Sequence, residues 1–93
     1  MILVPVNMTS AEFRKLSIFR QVEILLGQGQ QFMGRIFLFY TIQLYVFDGL
    51  FVEIWYRQTS NQIDRVVVLD LTDVFDLYEK QITLGELPGI KDQ

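Results

Sequence analysis

Residues 34 to 70 constrain the fold more than any other stretch of the chain: GRIFLFYTIQLYVFDGLFVEIWYRQTSNQIDRVVVLD. The run is rich in β-branched and aromatic residues. It is punctuated by Asp48-Gly49, a frequent hairpin dipeptide, and by the polar Gln58-Thr59-Ser60-Asn61. This pattern predicts a three-stranded antiparallel meander whose first strand covers residues 35 to 47.

Polarity selects the register at the first turn. A two-residue turn opposes Phe47 to Leu50 and sets Glu53 and Arg57 on the face that carries Ile42 and Leu44. A three-residue turn of Phe47, Asp48 and left-handed Gly49 opposes Val46 to Leu50, Leu44 to Val52, Ile42 to Ile54 and Tyr40 to Tyr56. The second arrangement leaves one face wholly apolar. Because a one-residue slip exchanges the faces of an entire strand, the three-residue turn is the expected one. The second loop opposes Arg57 to Gln62 and Tyr56 to Ile63, and continues the core face through Ile63, Val67 and Leu69 with Arg65 as its one misfit. Arginine can keep its head wet at a sheet edge, whereas the alternative slip buries Asp64 and Asp70.

The opposite face then carries Phe37, Phe39, Tyr45, Phe47, Phe51, Trp55, Val66 and Val68 among Thr41, Gln43, Glu53, Arg57 and Asp64. A solvated sheet face alternates more cleanly than this. A helix, a second copy of the chain or a ligand is expected to cover it.

The flanks read as helices. Residues 1 to 8 form an extended lead-in in which Pro5 excludes a central strand. Thr9-Ser10-Ala11-Glu12 has the form of a capping box and opens a helix over 9 to 27, with Gly27 as its stop. Leu16, Phe19, Val22 and Leu26, widened by Ile18 and Leu25, form the stripe expected to lie on the sheet, which leaves Phe13 and Ile24 on the wet side. Residues 27 to 31 read as a polar loop. Its glycines follow a helix and open a strand, the reverse of a phosphate-binding loop. A second helix over 71 to 84, capped by Asp70 or by Thr72-Asp73, presents Phe75, Tyr78 and Ile82 beside Val74 and Leu77. Residues 85 to 93 are its tail. The expected architecture is therefore α+β, a single domain over 1–93 in the order α-β-β-β-α.

Composition removes several chemistries. The chain has no cysteine and no histidine, so disulfides, thiolates, the commonest metal ligand and the usual general base near neutral pH are all missing. No metal and no cofactor are expected. The net charge of −3 is concentrated at the C-terminus, where residues 71 to 93 hold two basic and five acidic groups. That balance argues against nucleic acid, which needs a basic stripe. No apolar stretch reaches the roughly 20 residues of a spanning helix, so no membrane partner and a cytoplasmic location are expected.

Arg20, Glu23, Leu25 and Leu26, then Tyr40, Leu44 and Tyr45, and above all Asp48-Gly49-Leu50-Phe51-Val52-Glu53-Ile54-Trp55-Tyr56, are similar to a family of small uncharacterised bacterial proteins. The resemblance implies a helix, antiparallel strands and a second helix. It implies no activity.

Three functions are compatible with these residues. The first is an interaction module, a homodimer joined through an outer sheet face of Phe37, Phe39, Tyr45, Phe51, Glu53, Trp55 and Arg57, whose aromatic, charge-poor centre fits interface composition. The second is a binder of an apolar or aromatic ligand between that face and the second helix. The third is an enzyme using Glu53 or Asp64, ranked last because no second catalytic group converges on either. Base stacking on Tyr45, Phe51, Trp55 and Tyr56 is disfavoured by the acidic surroundings, and capping accounts for Asp70 and Asp73 better than a metal cluster with Asp76 does.

Overall fold

Four strands, not three, build the sheet. The computed structural model describes residues 8 to 83 as helices α1 (Ser10–Arg14) and α2 (Ile18–Gln28), strands β1 (Gln30–Phe37), β2 (Tyr40–Phe47), β3 (Leu50–Arg57) and β4 (Ile63–Leu69), and helix α3 (Leu71–Thr83). Each strand pairs antiparallel with the next, in the order β1-β2-β3-β4. The α+β class holds. The three-stranded sheet and the single N-terminal helix are corrected.

The extra strand comes from a hairpin hidden in residues 35 to 47. The chain reverses at Leu38 and Phe39, setting Phe37 opposite Tyr40, and Leu38 takes a φ of 54°. A bulky residue in that region is an outlier, and the turn carries none of the glycine, asparagine or aspartate that usually mark such positions. Gln30 and Gln31, expected in a loop, open β1.

The N-terminal helix is broken in two. The capping box forms as expected: Thr9 Oγ1 accepts from the Glu12 N–H, and the Glu12 carboxylate accepts from the Thr9 N–H. The helix stops after Arg14, and Ser17 caps a new one by accepting from the Arg20 N–H. The break resets the helical phase. Phe13, Gln21, Ile24 and Leu25 are buried, and Gln21 Nε2 donates to the Phe13 carbonyl across the break at 2.9 Å. Of the stripe expected to face the sheet, Leu25 is buried and Leu16 and Val22 pack against the core, whereas Phe19 and Leu26 are 76% and 57% exposed.

The β2–β3 register is the third correction. Asp48 and Gly49 take φ values of 53° and 80° in a two-residue turn, so Phe47 opposes Leu50, Leu44 opposes Glu53 and Ile42 opposes Trp55. Positive φ at both central residues is the hairpin geometry whose twist matches that of the strands. Tyr56 opposes Ile63 as expected, and an irregularity beside that pair sets Val66 against Ile54 and Val68 against Val52. One face, under α1 and α2, collects Tyr45, Phe47, Val52 and Ile54 with Val66 and Val68. The other, under α3, collects Leu44 and Leu69 with Met33, Phe51 and Val67. Both faces are therefore core.

Asp70 starts α3 through a reciprocal pair: the Asp73 N–H donates to Asp70 Oδ1 at 2.9 Å, and the Asp70 N–H to Asp73 Oδ2 at 3.3 Å. Val74 and Tyr78 form its inner side, while Phe75 and Leu77 are exposed. The expected lead-in apart from Met8, the tail and the Ile82 side chain lie outside the described residues.

Two turn substitutions test this backbone. Gly49→Val forces a β-branched residue into positive φ and should lower stability by roughly 1 kcal/mol or more. Leu38→Gly relieves the same strain at an exposed position and should raise stability by about 0.5–1 kcal/mol. Urea unfolding midpoints check both signs.

Candidate functional site

The polar centre of the molecule is Glu53, the middle residue of β3 on the α3 face. It is 1% exposed, yet every lone pair it offers is used. Arg35 reaches over β2 to donate from Nε to Oε2 at 2.9 Å and from Nη2 to Oε1 at 3.1 Å. Trp55 Nε1 donates to Oε1 at 3.0 Å, and the Tyr78 hydroxyl donates to Oε2 at 2.8 Å. Residues from β1, β3 and α3 thus converge on one carboxylate. Burial pulls the Arg35 guanidinium down, and the hydrogen bond and charge of Glu53 more than offset that, so its pKa ends above the ordinary value. Burial raises the Tyr78 phenol, and the hydrogen bond from its hydroxyl to Glu53 raises it further.

This arrangement explains the register. Four donors compensate the desolvation of the buried carboxylate, so the register that turns Glu53 inward does not leave an unpaired charge. It also bears on chemistry. A carboxylate holding four donors has no site left for a substrate proton, and the space between the sheet and α3 is filled by Leu44, Leu69, Val74 and Tyr78. Asp64, the other candidate carboxylate, accepts from Arg57 Nη2 at 2.7 Å and from the Tyr40 hydroxyl at 2.9 Å. These bonds hold it below the usual carboxylate range.

The expected aromatic interface is dispersed by the fold. Tyr45 is buried under the α1–α2 layer, and Phe51 packs in the α3 cluster. Trp55 is buried between two guanidinium groups, Arg35 and Arg65, whose centres lie 5.4 Å and 4.5 Å from its ring. Arg57 is exposed and committed to Asp64. Phe37, edge-on to Trp55 at 6.0 Å between centroids, and Phe39 stay at the surface.

Those two belong to a patch that the strand pattern concealed. Ile36, Phe37, Leu38 and Phe39 are 71%, 47%, 69% and 67% exposed, four consecutive apolar side chains at the end of the β1–β2 hairpin. An exposed apolar run of this length is unfavourable in water unless something binds it. The signal was present as residues 36 to 39, but it reads as strand interior until the turn is recognised.

No helix among the described residues is long and apolar enough to cross a membrane. No family model, curated protein or solved structure matches the chain.

The carboxylate network has two measurable consequences. Glu53→Leu removes the acceptor of four donors and strands the Arg35 charge, so it should destabilise by about 3–5 kcal/mol, against about 1–3 kcal/mol for Tyr78→Phe. The raised Tyr78 pKa contributes stability that is complete below its ordinary value of 10 and is lost as the pH climbs toward the folded value. Between pH 9 and pH 11 the wild type should therefore lose more stability than Tyr78→Phe, as read from urea midpoints at each pH.

Proposed function

We propose that the chain is a protein-interaction module that self-associates through the end of the β1–β2 hairpin. The carrying observation is the run of Ile36, Phe37, Leu38 and Phe39, exposed together at a turn where polar residues are usual. Leu38 adds weight, because it holds a left-handed conformation that glycine would adopt without strain. Strain kept at an exposed apolar turn is a mark of function rather than of folding. The contact surface is thus smaller than the expected aromatic face: it retains Phe37 and Phe39, adds Ile36 and Leu38, and leaves Tyr45, Phe51, Glu53 and Trp55 to the core.

Phe39→Glu places a charge in this patch without touching either buried cluster. It should convert an associated wild type into a monomer with unchanged near-ultraviolet circular dichroism. Light scattering that finds the wild type monomeric throughout the micromolar range would defeat the proposal.

A further inference from the structure

Strand β1 is an edge of the sheet, paired with β2 on one side only among the described strands. Phe37 and Tyr40 close a two-residue turn and so form a hydrogen-bonded pair, which turns the backbone N–H and C=O of the alternate residues Gly34 and Ile36 away from β2. The outward Gly34 carbonyl accepts from Gln81 Nε2 at 2.7 Å, and its second lone pair is the one open to a partner. The only charge on β1, Arg35, is turned onto the α3 face and held by Glu53. The far edge, β4, is defended by Asp64 and Arg65 beside its irregularity, a usual protection against strand addition.

The patch is distributed in a way that selects a mode of contact. Ile36 lies on the α2 side of the sheet and Phe37 on the α3 side, because successive residues of a strand alternate. A partner laid flat on one face would cover only part of the run. A strand added at the edge meets both faces at once.

Resting on the self-association proposed above, we infer that two copies join edge to edge through β1, antiparallel about a two-fold axis beside Arg35, so that Gly34 of each copy meets Ile36 of the other and the four-stranded sheet doubles. A second copy supplies matching donors and acceptors, since an antiparallel strand related by two-fold symmetry to β1 presents the same N–H and C=O pattern in reverse. Four side chains of roughly 200 Å² each, exposed by about half to three quarters, offer about 500 Å² of apolar surface per copy. Phe32, also exposed on β1, and the strand backbone bring this toward the roughly 800 Å² per partner of a standard interface.

Amide hydrogen exchange of the full chain, followed by NMR at concentrations below and above association, tests the contact. The Gly34 and Ile36 amides should exchange rapidly when dilute and slow by tenfold or more on association. Ile36→Pro deletes one outward N–H and spares the β2 ladder, so it should remain monomeric at concentrations where Ile36→Ala still associates. Association with the Gly34 and Ile36 amides still exchanging freely would overturn edge pairing and leave self-association standing. A wild type monomeric at every concentration would overturn both. Slow exchange in a monomer would mean that the chain's own residues close the edge, which overturns the pairing as well.

Discussion

The buried carboxylate of Glu53 is the constraint on which the other arrangements depend. A charge in the interior is tolerated only where hydrogen bonds replace its lost hydration, and here the donors come from three separate elements. Their geometry requires Arg35 on the same face as Glu53, which requires β1 to be folded back as a strand of its own. It requires Tyr78 over β3, which positions α3. It also sets the β2–β3 register, since a shift of one residue would turn Glu53 to the α1–α2 face and away from Arg35 and Tyr78. Ion pairs of this kind contribute little net stability against a hydrophobic substitute.

Once the sheet has helices on both faces, little of it is left for contact. The α1–α2 layer covers Tyr45, Phe47, Val52 and Ile54, and α3 covers Leu44, Glu53 and Leu69. What remains is the outer edge of β1 and the hairpin end, where the layers stop. The hydrophobic surface that the sheet itself leaves at this edge and tip is suited to a partner that extends the sheet, and less suited to a small molecule, which is held better by a concave pocket.

Helix α2 shows the same separation of pattern from placement. The amphipathic stripe through Phe19, Val22 and Leu26 is real as a pattern, but orientation is set where the helix begins. Ser17 restarts the helix after a break at Lys15, so that Phe13, Gln21 and Ile24 join Leu16, Val22 and Leu25 on the core side while Phe19 and Leu26 turn outward. The polar Gln21 is at home there because its side chain bonds the Phe13 carbonyl at the break.

Local chemistry is what these residues determined by themselves. The capping box at Thr9, the Asp70 cap, the position though not the length of the turn at Asp48-Gly49, the pairing of Tyr56 with Ile63 and an α+β architecture all follow from interactions within a few residues or from strand periodicity. The hairpin at Leu38 and Phe39, the faces of β2 and β3, and the burial of Glu53 were decided by tertiary structure. Each turns on a partner distant along the chain: Arg35 is 18 residues from Glu53 and Tyr78 is 25. A polarity argument values a carboxylate by its own desolvation, whereas the folded chain values it together with the donors that meet it. The exposure of residues 36 to 39 as one run has the same origin, because only the assembled sheet distinguishes a strand interior from its uncovered end.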